Sequence, residues 1–264
     1  MWIYPYVYMK KIFVSIFFLS LISVAASAQL RIVAYNVGAF SKYSEDSTHD
    51  IAKMMHETGA DAVAVCELDS CNRRHATFQL EEFAEALGGW DYRFGAAMKW
   101  AGGAYGTGVV TECGIIDGFD INLPKGDGYE PRVCVVSETS DYVIAAVHLD
   151  HSNDTVRLEQ IRLITDELQG RYGRSRKPVF LCGDLNATPD SPTLKQLSED
   201  WTVLSDQAPT FPSDRPRICI DYILALKNRA RYKVVETAVL TQFESADVTK
   251  MSDHLPVFVE VMIK

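Results

Sequence analysis

The chain has 264 residues, and 47% of them are hydrophobic, so it can bury a sizeable core and does not belong to the disordered class. Its 35 acidic and 26 basic residues give a net charge of −9, which opposes the approach of polyanions and disfavours sequence-independent DNA binding. No Gly/Pro/Ser-rich linker and no repeat interrupts residues 29–264. The sequence therefore predicts one domain over that range.

The first 28 residues are typical of an export signal. Lys10 and Lys11 precede an apolar run over 12–25, and Ala-Ser-Ala at 26–28 has the small-residue pattern of a signal-peptidase site. The apolar run is shorter than the roughly 20 residues that span a bilayer, which disfavours a membrane anchor. We therefore expect a signal peptide over residues 1–28 and a periplasmic or extracellular mature protein.

The hydrophobic pattern predicts a mixed α/β domain. Strands are expected at 31–37 and 61–68 around a helix near 51–58, and a second helix is expected at 78–87. A strand-rich section follows, with strands at 92–97, 107–111, 132–137 and 142–149, the last two joined as a hairpin. After a long helix at 156–171 come a strand at 179–182, a short helix from Ser191-Pro192, and strands at 218–226, 233–240 and 257–262.

Polar residues interrupt or follow these apolar strands. Singly, each such residue is more often a hydrogen-bonded core residue or a strand cap than a catalytic group. Asp184 and Asn186 lie two apart after one strand, so an extended backbone would point both to the same side. Occurring together, these residues predict a shared site, whose members are Asn36, Glu67, His148, Asp184, Asn186, Asp221, Asp253 and His254.

The residue types at these positions suit phosphoryl transfer to water. That reaction needs a cation to neutralise developing charge, an in-line water and donors to the phosphate oxygens. Carboxylate and amide oxygens favour Mg²⁺, with Mn²⁺ or Ca²⁺ as alternatives. A carboxylate inside an apolar strand, such as Asp221, needs a partner, and a histidine is the natural one.

The ordered motifs resemble the endonuclease/exonuclease/phosphatase superfamily. They are Tyr-Asn-Val at 35–37, Cys-Glu at 66–67, His-Leu-Asp-His at 148–151, Gly-Asp-Leu-Asn at 183–186, Ile-Asp-Tyr at 220–222 and Ser-Asp-His at 252–254. That superfamily includes deoxyribonuclease I, abasic-site endonucleases, neutral sphingomyelinases, inositol polyphosphate 5-phosphatases and deadenylase-like nucleases. The resemblance implies a four-layer α/β sandwich of two mixed, mainly antiparallel sheets flanked by helices, with the site at one rim.

The resemblance also implies a metal site and the residues that form it. Glu67 corresponds to the principal Mg²⁺ ligand, with Asn36 and Asp253 close to the metal. Cys66 stands where the superfamily usually has glutamine, which changes a neighbour of the ligand and keeps the ligand itself.

Catalytic roles follow from the same resemblance. Asp184 and Asn186 correspond to the pair that positions the attacking water and holds a phosphate oxygen. His254 corresponds to a general base or electrostatic partner, oriented by Asp221. His148 corresponds to the second histidine of the site, which binds a phosphate oxygen or assists the leaving group.

Substrate recognition is less specified by the sequence. Tyr222 follows Asp221, where the deoxyribonuclease I and inositol phosphatase branches tend to have arginine, so those branches are disfavoured. Trp100 and Tyr105 lie in a glycine-rich segment over 99–106, which is either a substrate-contacting loop or an ordinary hairpin connection. Arg132 is either a phosphate clamp or a surface charge.

The expected function is divalent-metal-dependent hydrolysis of a phosphodiester or phosphomonoester by a secreted monomer without a stable protein partner. Its substrate would be a phosphorylated small molecule, a phospholipid headgroup or a nucleic acid. A secreted nuclease and a catalytically silent binding protein of the same fold are the alternatives.

Overall fold

A computed structural model describes Met1, residues 28–126 and residues 130–264. The predicted signal peptide lies outside the described residues except for its two ends, and it stays a prediction. Within the described ranges, no helix is both long enough and apolar enough to cross a membrane.

The described part of the chain forms twelve strands in two six-stranded sheets. The first sheet has the order β11-β12-β1-β2-β4-β3 and the second has the order β5-β6-β7-β8-β10-β9. Only β1–β2 and β7–β8 pair in parallel among the described strand pairs. The strands are β1 Ala28–Asn36, β2 Ala62–Ser70, β3 Asp91–Trp100, β4 Gly103–Thr111, β5 Asp117–Asn122, β6 Val133–Glu138, β7 Val143–His148, β8 Val179–Asp184, β9 Trp201–Val203, β10 Asp221–Leu226, β11 Tyr232–Val239 and β12 Val257–Ile263.

Four α-helices lie among the described residues, and local sequence explains where several of them begin or end. The helix α3 begins after Asn153, whose side chain accepts hydrogen bonds from the first helical turn. The helix α4 has proline at its first position and the Ser191 hydroxyl as its cap. Gly59, in the left-handed conformation, ends α1. The helices are α1 Thr48–Thr58, α2 Gln79–Ala86, α3 Asp154–Tyr172 and α4 Pro192–Asp200.

These elements stack in four layers, as the superfamily resemblance predicted. The two sheets face each other across a core that includes Ile32, Val109, Ile144 and Phe180, all fully buried. A second core joins α1 and α2 to the outer face of the first sheet, and a third joins α3 and α4 to the second sheet. The α/β sandwich is therefore confirmed.

Two strands were not predicted from the sequence, and among the boundaries that differ, one changes the place of a site residue. The strand β5, Asp-Gly-Phe-Asp-Ile-Asn, lies at a sheet edge with only Ile121 buried, so its apolar pattern is weak. The three-residue β9 is too short to show a period. Asp221 opens β10 at its first position, whereas the predicted strand had placed it inside the apolar run.

The topology brings the ends of several strands to one rim of the sandwich. The strands β7 and β8 run in parallel and end together, with His148 beside Asp184. Because β10 runs antiparallel to β8, its first residue, Asp221, also pairs with Asp184. The strand β1 ends at Asn36 on the facing sheet.

Gly183 allows this rim to form, and its replacement is expected to destabilise the fold. Its φ is +138°, and an added Cβ would lie 2.0 Å from the carbonyl oxygen of Val147. We expect Gly183→Ala to lower the free energy of unfolding by about 2 kcal/mol or more. Urea denaturation measures the change.

The matched control is Gly170→Ala in α3, where an added Cβ meets no atom within 4 Å. That variant should match the natural protein or be more stable by up to about 1 kcal/mol, because alanine favours helix. Equal stabilities of the two variants would contradict the close-approach explanation.

Candidate active site

The rim carries a cleft of about 520 Å³ between the facing ends of the two sheets. Six of the eight residues predicted for the site line it, and Asn36 and Asp221 lie directly behind, bonded to lining residues. The lining residues are Glu67, Tyr105, Glu130, Arg132, His148, His151, Asp184, Asn186, Thr188, Phe211, Ile218, Ile220, Asp253 and His254.

Asp184 lies at the centre of this cluster and is 2% exposed. Its Oδ1 accepts the backbone N–H of Asn186 at 2.8 Å, and its Oδ2 accepts from Asn36 Nδ2 at 3.2 Å. The same Oδ2 lies 3.4 Å from Nε2 of His148 and 3.7 Å from Nε2 of His254. Burial, together with the Asp221 carboxylate, raises the pKa of Asp184 to about 7.

His254 is held by Asp221 on its far side. Its Nδ1 lies 3.0 Å from Asp221 Oδ2, which also accepts the hydroxyl of Thr210 at 2.5 Å. Burial alone would lower the pKa of His254, but the Asp221 carboxylate outweighs it and raises that pKa to about 10. The imidazole ring packs against Phe211, with centroids 4.9 Å apart. The predicted histidine partner of Asp221 is therefore present, and it directs Nε2 of His254 toward the cleft.

Glu67 reaches the cleft from a β-bulge, and not from the end of a strand as the sequence suggested. The strand β2 continues to Ser70, and its pairing with β4 shifts register between Val65 and Leu68. The backbone of Glu67 has a φ of +61°, a conformation that a residue other than glycine adopts mainly where structure requires it. Its Oε1 accepts from Asn36 Nδ2 at 3.0 Å.

Asn186 does not lie on extended backbone beside Asp184, so the predicted side-chain alternation is wrong here. Its φ is +48°, and its Nδ2 donates to the carbonyl oxygen of Leu149 at 3.1 Å. The two residues still meet, because the turn folds the backbone N–H of Asn186 onto Asp184.

Arg132 lies in the cleft lining and is almost fully buried, so the surface-charge interpretation is wrong. It is 5% exposed, and its Nη1 lies 3.1 Å from Nδ1 of His148 and 3.2 Å from Oε1 of Glu130. A guanidinium has no acceptor, so Nδ1 must accept and the ring proton of His148 must sit on Nε2. Burial and the Arg132 cation lower the pKa of His148 well below its usual value. His148 is thus a neutral imidazole that presents an N–H toward Asp184.

The oxygen ligands around the cleft fit a hard divalent cation. Glu67, Asp184 and Asp253 bring carboxylates to the cleft lining, and carboxylate oxygens are preferred ligands of Mg²⁺. Lys42 donates to Asp253 Oδ2 at 2.7 Å, which offsets part of this negative charge. Asn36 in this arrangement turns its Nδ2 toward the carboxylates, while its Oδ1 accepts from Gly38 N–H. Asn36 therefore orients Glu67.

A second set of possible metal ligands consists of Asp184, Asp221 and His254, whose ligand atoms lie within 4.8 Å of one another. In this set Asp221 and His254 are hydrogen-bonded to each other. A metal bound there would have to replace that bond, so Glu67 and Asp253 are the better ligand candidates.

The predicted substrate residues fall on two adjoining surfaces. The segment over 99–106 is the tip of the β3–β4 hairpin, with Ala101 and Gly102 both at positive φ in the turn. Tyr105 lines the site cleft, whereas Trp100 lines only the neighbouring cleft.

Sequence reasoning missed Lys42, Thr210 and Phe211. Each lies in a segment without regular strand or α-helix and reaches the site only through tertiary contacts. No local pattern marks them. His151, quoted in the motif at 148–151 but not assigned a role, also lines the cleft.

Comparison with known proteins supports the resemblance. The sequence matches the model described as Endonuclease/Exonuclease/phosphatase family over residues 33–254. No functionally curated protein matches the chain.

Several solved structures share the fold. An endonuclease/exonuclease/phosphatase family protein from Bacteroides thetaiotaomicron is 20% identical with a TM-score of 0.72, covering 90% of this chain and 96% of its own. A mannosyl-6-phosphatase from the same organism is 20% identical with a TM-score of 0.71, covering 88% and 99%. ANGEL2, a 2′,3′-cyclic phosphatase, is 14% identical with a TM-score of 0.65, covering 89% and 95%. At these identities the similarity shows a shared fold.

Proposed function

The chain belongs to the endonuclease/exonuclease/phosphatase family, and from that premise we propose that it hydrolyses a phosphoester with the help of a divalent metal ion. The observation that carries this proposal is the convergence of carboxylates and two histidines on Asp184 at one rim. Fold neighbours with phosphatase and 2′,3′-cyclic phosphatase activity support phosphoester chemistry. Action outside the cytoplasm is proposed from the predicted export signal.

Glu67 and Asp253 would hold the metal, with Asn36 fixing the orientation of Glu67. Mg²⁺ is the expected ion, and Mn²⁺ or Ca²⁺ would suit the same oxygens. When bound, the ion neutralises charge on the phosphate oxygens.

Asp184 is placed to take a proton from the attacking water. The backbone N–H of Asn186 holds Oδ1, whereas Oδ2 faces Nε2 of both histidines that line the cleft. The proton would move from water to Oδ2 of Asp184 as the water oxygen bonds to phosphorus and the bond from phosphorus to the ester oxygen breaks. The departing alkoxide would then take a proton from solvent.

The two histidines supply N–H donors to the phosphate. Asp221 stabilises the imidazolium of His254, whose Nε2–H then stabilises negative charge on a phosphate oxygen. This geometry favours the electrostatic role for His254 over that of general base. His148, neutral and fixed by Arg132, donates from Nε2 to a second oxygen.

Assays of the mature protein test the proposal. The substrates are bis(p-nitrophenyl) phosphate, p-nitrophenyl phosphate, sphingomyelin and single-stranded DNA, each with Mg²⁺, Mn²⁺ or Ca²⁺ and with a chelator. Metal-dependent turnover of at least one is expected. Turnover confined to DNA would favour the nuclease alternative, and no turnover of any of them would favour the silent binding protein.

Replacing Arg132 should disturb His148, because the guanidinium holds Nδ1 of that ring. In Arg132→Met, Nδ1 of His148 loses its donor and the ring can take the other tautomer. We expect kcat to fall about 10- to 100-fold, as for other partners that orient a site ligand. Nitrogen NMR of His148 reports the tautomer, and kinetics reports the rate.

The control for this prediction is Arg93→Met, which removes an arginine paired with Asp120 on the outer part of β3. It should keep the natural rate. An unchanged His148 tautomer in Arg132→Met would disprove the orienting role.

A further inference from the structure

A second cleft of about 480 Å³ adjoins the active-site cleft. The two share Glu67, Tyr105 and Glu130 in their linings, so they form one continuous depression. A substrate bound at the rim would extend into this second cleft with the part of the molecule beyond the scissile phosphate.

Arg74 is held in the second cleft by a buried carboxylate. Asp69 is 0% exposed and accepts Arg74 Nε at 2.6 Å and Nη2 at 2.9 Å. The same carboxylate lies 2.6 Å from Nδ1 of His75. Asp69 follows Glu67 by two residues, on the part of β2 that continues past the bulge. The arginine is therefore tied to the same strand as the proposed metal ligand.

The guanidinium of Arg74 keeps donors for a ligand. The Arg74 side chain is 46% exposed, and its Cζ atom lies 5.9 Å from the centroid of the Tyr105 ring. Among the described residues, no acceptor binds its Nη1. A fixed guanidinium with a free edge is the group that recognises carboxylates and phosphates in proteins.

The cleft has one apolar wall, and the carboxylates of Glu67 and Glu130 also line it. Trp100 is 45% exposed at the hairpin tip, and Met98 lies on the same strand. Of these two carboxylates, which would repel an anion, Glu130 accepts from Arg132, and Glu67 is the proposed metal ligand. An anion at Arg74 would thus be attached to the scissile phosphate by a spacer that lies against an apolar wall.

We propose that Arg74 is a specificity-determining residue that binds a second anionic group of the substrate. The preferred substrates would be phosphoesters whose organic part carries a further phosphate or carboxylate. This inference rests on the proposed function for the location of the first phosphate, and it adds the chemical class of the substrate.

Matched phosphonate ligands test this subsite. Alkylphosphonates with chains of three to six carbons carry one anionic group, and α,ω-bisphosphonates of the same lengths carry two. Their binding to the full mature protein with Mg²⁺ is measured by calorimetry and by inhibition of bis(p-nitrophenyl) phosphate hydrolysis. For at least one length, the bisphosphonate should bind about tenfold or more tightly than its partner.

Variants assign that preference to Arg74. In Arg74→Gln the preference for the bisphosphonate should fall to about the level expected from the ligand's extra charge alone. Arg74→Lys should retain part of the preference, because lysine keeps the positive charge but loses the paired N–H donors of the guanidinium. The control is Arg73→Gln, which removes the same charge from an exposed neighbour outside the cleft. Thermal melting of each variant checks that it is folded.

The outcomes separate this inference from the proposed function. A protein that hydrolyses a phosphoester but shows no preference for bisphosphonates, or keeps the full preference in Arg74→Gln, would overturn the subsite alone. A protein that hydrolyses no phosphoester would overturn the proposed function, while calorimetry would still decide whether Arg74 selects dianionic ligands. Equal losses in Arg73→Gln and Arg74→Gln would also refute a specific role for Arg74.

Discussion

Replacing His254 with alanine is expected to lower kcat for bis(p-nitrophenyl) phosphate by about 10²- to 10³-fold, the usual cost of removing a preorganised donor to a developing oxyanion. The physical reason is the position of His254, whose Nε2 lies 3.7 Å from Asp184 Oδ2 while Asp221 holds Nδ1. No other described cation lies so close to Asp184. A steady-state assay at saturating metal measures the change.

The partner variant Asp221→Asn tests the charge argument. It keeps the shape of the side chain but removes the carboxylate that raises the pKa of His254 to about 10. Because that pKa is raised, the imidazolium persists from acidic pH up to the shifted value and is lost above it. In the presence of a chelator, NMR titration should find the pKa of His254 lower in Asp221→Asn.

The control for the His254 prediction is His56→Ala, which removes a histidine from the exposed part of α1. It should hydrolyse the substrate at the natural rate. An unchanged kcat in His254→Ala would exclude His254 from the chemistry and favour a binding role for the fold.

Replacing Glu67 with glutamine is expected to raise the Mg²⁺ concentration for half-maximal activity by about 100-fold or more. Removing a residue that only hydrogen-bonds to a metal ligand lowers metal affinity by about 10- to 100-fold, so removing the charge of a direct ligand should lower it at least as much. Glutamine can still accept from Asn36 Nδ2, and the bulge that presents residue 67 is unchanged. The measured effect would therefore report the lost charge. Activity across a Mg²⁺ titration gives the midpoint.

The control for the Glu67 prediction is Glu112→Gln, which removes one acidic charge from an exposed position at the end of β4. Its midpoint should match that of the natural protein. An unchanged midpoint in Glu67→Gln would show that other residues bind the metal, with Asp184, Asp221 and His254 as the next candidates.

Most elements of the fold were predictable because the signals that create them are local. The apolar runs of β2 and β7 are buried on both faces, so they read as central strands in the sequence. Elements without a local signal were missed, as the polar edge strand β5 shows. The bulge at Glu67 was not predicted for the same reason, because a register shift depends on how β2 pairs with its partner strand.

By itself, the sequence determined which residues would be buried in strands, which polar side chains would interrupt them, and which family the motifs resemble. These properties depend on residue type and on spacing along the chain. Only the tertiary structure decided that Arg132 fixes the tautomer of His148, that Thr210 completes the support of His254, and that Asp69 holds Arg74 beside the site. Such contacts join surfaces brought together by packing of the two sheets or by a turn that folds a side chain back. The directions of these side chains and the distances between them therefore depend on the folded backbone.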